Sequence, residues 1–335
     1  AAFKLFCIEM AFARNSFVII QWLTIVLVCD GFHMKENINN RPIIGVMSQA
    51  THGEIYPKFG QSYIAASYIK YLESSGARVV PIMNDLNEEE TEKLFNSING
   101  VLFPGGGVNL STSGYAKIGK WIVDLAKTAF EKGDYFPIWA TCLGFEFIST
   151  LIGEDLNILS PTDSENLPLP LNFSQDYHSS EMFGNIEDSL AYFLGSAPTA
   201  MNNHKYSLLT SSYEANQKIK SFFRILSTNR DRNGLEFVST IEGIKYPIFA
   251  SQWHPEKNSF EWTLKENIPH QDMSIKVTQF MSNFFVNQTR VSQHKFASSE
   301  EEEAALIYNF NPVYTGDVSN FEQAYFFESK HNVIF

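Results

Sequence analysis

The chain has 335 residues, of which 44% are hydrophobic and 19% are charged. This composition is typical of a globular protein with a large buried core, and it argues against intrinsic disorder. The formal net charge of −12 comes without a cluster of lysine and arginine residues, and we therefore exclude nucleic acid as an expected partner.

Residues 1–31 have the pattern of an upstream segment followed by a secretory signal. The apolar run from Phe17 to Val28 is too short for a bilayer span of about 20 residues, but it suits the apolar part of a signal that begins at Met10. A buried core helix is the alternative for this run. Residues 32–40 then form a linker, and residues 41–335 form a single domain that includes the C-terminal tail.

Sequons for N-glycosylation agree with a secretory route. They begin at Asn109, Asn172 and Asn287. Because such tripeptides often occur by chance, their weight comes from their combination with the predicted signal. No other stretch reaches the roughly 18 apolar residues of a transmembrane helix, so we expect no membrane association once the signal is removed.

From residue 41 onward, strand-like and helix-like segments alternate. The predicted strands are residues 42–47, 77–82, 100–103 and 136–140, and the predicted helices are residues 63–72, 88–98 and 116–131. Strands that alternate with helices of this length favour right-handed crossovers. The sequence therefore predicts an α/β fold with an open, mostly parallel sheet sandwiched by helices.

The pattern is less regular beyond residue 151. Residues 157–180 are rich in Pro, Asp, Ser and Asn and predict a long loop or lid. The remaining predicted elements are strands at residues 222–227, 235–241 and 248–252, and a late helix at residues 273–287. The acidic run 298–303 is expected to be solvated surface, and the aromatic tail after it is expected to pack back onto the domain.

The chain has three cysteines, and two of them, Cys7 and Cys29, lie before or inside the predicted signal. The mature chain then keeps only Cys142, so an intramolecular disulfide is impossible. A lone thiol in an oxidising compartment is normally either buried or used in chemistry. Cys142 is therefore either an inert core residue or a nucleophile.

The position of Cys142 favours the nucleophile. It lies at the turn between a predicted strand and the next helix, in an A-x-C-x-G pattern from Ala140 to Gly144, which is the cysteine counterpart of the nucleophile elbow. Ligands of open α/β sheets bind beyond the carboxyl ends of the strands. The start of the helix also offers amide N–H groups that favour a thiolate and can hold an oxyanion.

A base and an oxyanion site are both present in the sequence. His254 follows an apolar strand and can exchange protons with the thiol and the leaving amine, while Glu256 orients its ring. For the oxyanion we expect amide donors from the glycine run around Gly106 and from Leu143. A phosphate cradle is the alternative for these glycines, but no Lys-Ser/Thr pair follows them.

The segments PGGG, TCLGFE and QWHPE, in this order and spacing, resemble the class I glutamine amidotransferase-like hydrolases. With NNHKYS and ALIYNFNPVYTG added, the chain from residue 41 onward is similar to the γ-glutamyl hydrolase (folylpoly-γ-glutamate hydrolase) family. The resemblance implies the flavodoxin-like form of the predicted sheet. It also implies Cys142 as nucleophile, His254 as general acid–base and Glu256 as the third member, which together hydrolyse γ-glutamyl amides of folylpoly-γ-glutamates through a thioester, without metal or cofactor.

The resemblance adds three residues to the substrate-binding site, namely Tyr68, Glu146 and His204. On the residues alone, Tyr68 is a core position and His204 a loop histidine, while Glu146 either faces the cleft one turn after Cys142 or faces solvent. The family further implies a homodimer located in lysosomes or secretions.

Two other functions remain open on the sequence. A glutaminase subunit that feeds ammonia to a synthase shares the cysteine and the histidine, but the predicted export argues against it. A secreted glycoprotein that keeps the fold as a non-catalytic binding module is the second. For a polyanionic substrate, the candidate cations are Lys58, Arg78, Lys205 and Lys257, and no spacing selects among them.

Overall fold

A computed structural model describes residues 38–51 and 58–329 of the chain. The predicted secretory signal and residues 32–37 of the predicted linker lie outside the described residues, as do Cys7 and Cys29. Among the described helices, none combines the length and the apolar character that a membrane span requires.

The elements of the described residues are numbered in chain order. The strands are β1 (Ile43–Met47), β2 (Gln49–Ala50), β3 (Ser62–Ala65), β4 (Arg78–Ile82), β5 (Val101–Phe103), β6 (Ile138–Thr141), β7 (Leu159–Leu169), β8 (Asn172–Phe173), β9 (Ala200–Leu208), β10 (Phe223–Arg230), β11 (Glu236–Gly243), β12 (Ile248–Ser251), β13 (Val313–Tyr314) and β14 (Gln323–Phe327). The helices are α1 (Ala66–Glu73), α2 (Glu88–Phe95), α3 (Gly114–Glu131), α4 (Leu143–Gly153), α5 (Asp188–Ser196), α6 (Thr210–Ala215), α7 (Gln217–Phe222), α8 (Lys257–Phe260), α9 (Asp272–Thr289) and α10 (Ser299–Ala305). Short 3₁₀ turns lie at Tyr177–Ser179 and Ile307–Asn309.

The central sheet has eight strands in the order β4-β1-β5-β6-β12-β11-β10-β8. The first five are mutually parallel, and β11, β10 and β8 continue the sheet in antiparallel pairs. The predicted open, mostly parallel sheet is therefore confirmed. Its strands in the parallel part lie within three residues of the predicted boundaries.

The parallel strands send alternate side chains into two cores, one on each face of the sheet. In β1, Ile43 and Met47 belong to one core, and Ile44 and Val46 belong to the other. Helices α2, α3 and α4 cover the first core, and α1, α5 and α9 cover the second. This two-sided burial explains why the parallel strands are near-continuous apolar runs in the sequence.

The predicted helix at residues 63–72 is wrong in its first turn. Ser62–Ala65 is strand β3, which pairs antiparallel with β14 and with β2, and the helix begins only at Ala66. The strand exists because the C-terminal tail supplies a partner, with Tyr325 opposite Ile64. The same pairing confirms that the tail packs back onto the domain.

The predicted loop or lid at residues 157–180 is wrong in its first half. Leu159–Leu169 is strand β7, which forms a two-stranded antiparallel ribbon with β9. Pro161 and Pro168 are tolerated there because β7 has a free edge and its ladder contains register shifts. This β7–β9 ribbon carries His204 toward the carboxyl end of the central sheet.

The acidic run 298–303 is largely exposed, as expected for solvated surface, but it is also ordered. It forms α10, in which the Ser298 hydroxyl accepts a hydrogen bond from the Glu301 N–H at 3.2 Å. Glu301 pairs with Lys93, and Glu302 pairs with Arg78. Acidic residues in the first turn also interact favourably with the helix dipole.

Candidate active site

Three neighbouring parallel strands of the central sheet deliver the residues of the site. Gly105 follows β5, Cys142 follows β6 and His254 follows β12, and these strands are adjacent in the order β5-β6-β12. The carboxyl ends of parallel strands meet at one edge of a sheet, where ligands of open α/β folds bind. Residues far apart in the sequence are thereby brought together by the strand order alone.

Cys142 occupies a strained elbow between β6 and α4. Its φ of 51° and ψ of −104° are rare for a residue with a side chain, and such backbone strain clusters at functional sites. The Cys142 N–H donates to the Ser251 carbonyl at the end of β12 at 2.9 Å. Glycine is required at position 144, because a Cβ there would lie 2.3 Å from the Phe103 carbonyl oxygen.

His254 and Glu256 form a buried pair beside the elbow. The Nδ1 atom of His254 lies 2.7 Å from Oε1 of Glu256, and both side chains are almost fully buried. This contact fixes the imidazole ring and leaves Nε2 as the nitrogen that can exchange a proton with a reacting group.

Gly105 separates the thiol from the imidazole without filling the space between them. A Cβ built on Gly105 would lie 2.7 Å from Cε1 of His254 and 3.2 Å from Cβ of Cys142. Both side chains therefore border the space beside Gly105, and a side chain at position 105 would occupy it. This close approach is the physical reason for a glycine at this point of the chain.

Tyr68 supports the site from behind the glycine loop. Its hydroxyl oxygen accepts a hydrogen bond from the Gly105 N–H at 2.8 Å and lies 3.3 Å from Nδ1 of His254. Burial, together with the charge of Glu256, raises the pKa of Tyr68 well above its usual value, so the phenol stays neutral. The resemblance predicts Tyr68 as a substrate-binding residue, whereas its contacts in the structure are those of a residue that positions the loop and the imidazole.

Gln49 holds the predicted oxyanion loop in place. Its Nε2 donates to the Gly105 carbonyl at 2.8 Å and its Oε1 accepts from the Gly107 N–H at 3.2 Å, so it brackets Gly106. A Cβ on Gly106 would lie 1.8 Å from the Gln49 side chain. The predicted donors, the amides of Gly106 and Leu143, lie on the cleft wall next to Cys142. Gln49 has no recognisable signal in the sequence, because it sits in a two-residue strand.

Cys142 lies between two cavities. The first, of about 760 Å³, is walled by the β7–β9 ribbon, and we call it the ribbon chamber. Its lining includes Cys142, Leu143, Glu146, His204 and Lys205. The second, of about 410 Å³, is walled by the C-terminal tail, and we call it the tail chamber. Its lining includes Cys142, His254, Lys257, Glu266 and Asn320.

Glu146 lies in the wall of the ribbon chamber and is nearly buried. Burial raises the pKa of Glu146 to about 8, although the hydrogen bond that its Oε1 accepts from Nε2 of Gln252, at 3.2 Å, favours the charged form. At neutral and acid pH it is therefore a carboxylic acid that can donate a hydrogen bond into the chamber.

His204 is a fixed neutral imidazole. Its Nε2 lies 3.1 Å from Oδ1 of Asn202, and its Nδ1 lies 3.1 Å from the Ser207 hydroxyl. Nδ1 also lies 3.0 Å from the Tyr206 carbonyl oxygen. Burial, aided by the charge of His254, lowers the pKa of His204 to about 3. His204 therefore shapes the ribbon chamber and does not act as a proton carrier.

Burial favours the protonated form of Cys142 in the free site. Burial raises the pKa of Cys142 well above its ordinary value, with a further contribution from Glu146, while Lys257 and the Leu143 amide act in the opposite direction. The sequence predicts a thiolate favoured by the helix start, and burial acts against that effect. His254 must then take the proton as the sulfur attacks.

The other predicted residues fall at the rim or away from the cleft. The sequon residues Asn109, Asn172 and Asn287 are exposed, and Asn109 lies on the rim of the ribbon chamber. Of the candidate cations, Lys205 and Lys257 line the chambers, whereas Arg78 pairs with Glu302 on the surface. Among the described residues, no group of His, Cys, Asp and Glu side chains is arranged to hold a metal ion.

A cysteine at a strained elbow, next to an imidazole that a buried carboxylate orients, is the arrangement of a cysteine hydrolase. On this α/β fold, it defines the class of protein. The sequence predicts the same class.

Comparison with known proteins gives the family. The family model described as Peptidase C26 matches residues 42–256, and the chain belongs to this family. It is 47% identical over 288 residues to the γ-glutamyl hydrolase of Homo sapiens, covering 86% of this chain and 90% of that protein. It is 42% identical over 296 residues to γ-glutamyl hydrolase B of Dictyostelium discoideum, covering 88% and 85%. The predicted family resemblance is confirmed.

Among solved structures, a glutamine amidotransferase from Thermotoga maritima aligns with 75% of this chain and with 99% of its own length. The two are 10% identical, with a TM-score of 0.40.

Substitution of Gly105 is expected to lower catalytic activity strongly. In Gly105→Ala, the new methyl group displaces the imidazole or the thiol, and we expect kcat/KM to fall by about 100-fold or more. Gly107→Ala is the matched control in the same loop, because a Cβ there meets no atom within 4 Å. Equal losses in the two variants, with unfolding temperatures unchanged, would contradict this account.

The raised pKa of Glu146 predicts a pH-dependent stability. The pKa of Glu146 is raised from 4.5 in the unfolded chain to about 8 in the folded protein. The stability that its protonated form contributes is therefore fully present below about pH 4.5 and is lost as the pH rises through 8. The unfolding free energy of Glu146→Gln, measured relative to that of the parent chain, should therefore be a few kcal/mol higher at pH 8 than at pH 5.

Urea unfolding at both pH values measures this change, and the exposed Glu303→Gln variant supplies the baseline. If the difference in unfolding free energy between the parent chain and Glu146→Gln is the same at both values, the assigned neutral state of Glu146 is wrong.

Proposed function

We propose that the chain is a cysteine hydrolase that cleaves the γ-glutamyl amide bonds of folylpoly-γ-glutamates through a thioester acyl-enzyme. The observation that carries the proposal is the Cys142, His254 and Glu256 arrangement at the junction of two chambers. Its family membership and its relatives, which are γ-glutamyl hydrolases by name, supply the bond that is cleaved.

The acylation step uses the pair of buried groups and the glycine loop. Sγ of Cys142 attacks the carbonyl carbon of the γ-amide while Nε2 of His254 takes its proton, and Glu256 stabilises the imidazolium through Nδ1. The amides of Gly106 and Leu143 hold the oxyanion. Collapse of the tetrahedral intermediate breaks the C–N bond, and the imidazolium gives its proton to the departing amine.

The deacylation step reverses the same proton path. A water molecule takes the place of the departed amine, and Nε2 of His254 removes its proton as the oxygen attacks the thioester carbonyl. The C–S bond breaks, the sulfur receives the proton from the imidazolium, and a γ-carboxylate is released.

The polar residues of the ribbon chamber support the proposal that it binds the γ-glutamyl acyl group. Such a group carries an α-carboxylate close to the reacting carbonyl. The protonated carboxyl of Glu146 donates a hydrogen bond to a carboxylate. Lys205 lines the same chamber, where it pairs with Glu165 at 3.5 Å. The donor on Glu146 is present at acid and neutral pH and is lost as Glu146 ionises.

The proposal extends to location, modification and assembly. Residues 1–31 direct a single hydrolase domain, residues 41–335, to a lysosomal or secreted location, and glycans are attached at Asn109, Asn172 and Asn287. The support is the apolar pattern of the N-terminal residues and the exposure of the three asparagines. A homodimer rests on the family resemblance alone.

A ladder of pteroyl-poly-γ-glutamates tests the proposed activity. We expect the purified chain to shorten the ladder and release glutamate-containing products, and Cys142→Ala to lower the rate by at least about 10³-fold without unfolding. Acid quenching during turnover should leave an acyl adduct on the parent chain in the intact-mass spectrum.

The other functions give different results. A non-catalytic binding module leaves the ladder intact, and a glutaminase subunit releases ammonia from free glutamine while the pteroyl conjugates persist. Either result would overturn the proposal.

A further inference from the structure

Lys257 and Glu266 form a buried ion pair in the wall of the tail chamber. Nζ of Lys257 lies 2.6 Å from Oε2 of Glu266, and each side chain is 2% exposed. Oε1 of Glu266 accepts hydrogen bonds from the amide groups of Asn203 and Asn320, both at 2.8 Å. Glu266 is thus held by the β7–β9 ribbon, by the C-terminal tail and by the residue that directly follows Glu256.

This pair is not explained by stability. Desolvation of two charges offsets most of their attraction, and apolar replacements of buried pairs are often neutral or stabilising. The pair also lines a cavity beside the nucleophile, where a charged group is typically there to meet a ligand. The charge of Lys257 favours the ionised form of Cys142, so the ammonium group lies within electrostatic range of the sulfur.

The leaving group departs through the tail chamber. His254 lines the tail chamber and is not among the residues that line the ribbon chamber. Because His254 protonates the departing amine, this amine must face it. The acyl group then remains on the other side of Cys142, against Leu143 and Glu146.

We propose that Lys257, held by Glu266, binds the α-carboxylate of the leaving glutamate unit. This inference rests on the proposed function. In a γ-glutamyl chain, the scissile nitrogen and the α-carboxylate are attached to the same carbon, so the carboxylate carbon lies about 2.5 Å from the nitrogen whatever the chain length. Among the described residues that line the tail chamber, Lys257 is the only lysine or arginine.

Glu266 prepares Lys257 for this contact. An ammonium group has three N–H donors, and Glu266 engages it from one side only, so donors remain for a ligand. The carboxylate neutralises the lysine while the chamber is empty, and the two asparagine amides fix the carboxylate. The Phe321 ring, 5.9 Å from Nζ of Lys257, bounds the chamber on the tail side.

The segments that build this subsite lie mainly outside the matched family region. The family match ends at Glu256, whereas Lys257, Glu266, Asn320 and Phe321 all come later in the chain. The tail therefore contributes to substrate choice as well as to the strand pairing with β3.

A pair of substrates that differ in one group tests the inference. The first is pteroyl-γ-diglutamate, and the second carries an α-carboxamide in place of the α-carboxylate on the terminal unit. The parent chain should prefer the first. Lys257→Met should lower kcat/KM for the carboxylate substrate by about 10- to 100-fold more than for the amide substrate, whose loss reports the effect of Lys257 on Cys142.

Lys257→Met leaves Glu266 without its partner and can misfold. A second variant keeps the inference testable in that case. Glu266→Gln keeps the shape and removes the competing carboxylate, so KM for the carboxylate substrate should fall several-fold while KM for the amide stays unchanged. Lys205→Met, in the ribbon chamber, is the matched control and should affect both substrates equally.

The outcomes separate the two proposals. If the parent chain cleaves neither substrate, the proposed function fails and this inference fails with it. If it cleaves both, and Lys257→Met and Glu266→Gln change the two substrates by the same factor, the pair has only a structural role and the inference is overturned while the proposed function stands.

Discussion

The site depends on the close approach of Cys142 and His254 to one backbone position, Gly105, that has no side chain. Gly105, Cys142 and His254 each follow one of three adjacent parallel strands, so the strand order brings them together. Gln49 and Tyr68 then fasten the glycine loop from behind. The strain at the cysteine is tolerated because the cores on both faces of the sheet determine the path of the backbone on either side of it.

Burial of this meeting point sets the protonation of each group around it. The same exclusion of water raises the pKa values of Cys142 and Glu146 and lowers that of His204, so the free cleft holds a neutral thiol, a neutral acid and a neutral imidazole. The charge on the sulfur appears only when the thiol loses its proton to His254 during attack. In a buried site, the predicted oxyanion amides and the Glu256 carboxylate act more strongly than they would in water.

The parallel strands, the elbow and the histidine–carboxylate pair can be predicted from the sequence, because each depends on a short contiguous pattern. Strand β3 and the β7–β9 ribbon cannot be predicted in this way. Their strands pair with segments far along the chain, and the local patterns of β3 and β7 indicate helix and loop. The hydrogen bonds from Gln49 to the glycine loop and from Asn320 to Glu266 are unpredictable for the same reason, because both join distant segments of the chain. The pKa shifts were also beyond the sequence, because burial depends on the closed packing of all these parts.

The pH dependence of alkylation of Cys142 by iodoacetamide, an uncharged reagent small enough to enter either chamber, measures the protonation state of the thiol directly. We expect a rate that keeps rising with pH, with an apparent pKa above the ordinary 9.0 of a cysteine. A rate that is already at its plateau between pH 5 and pH 6 would show a preformed thiolate. That result would contradict the assignment of His254 as the group that removes the proton during attack.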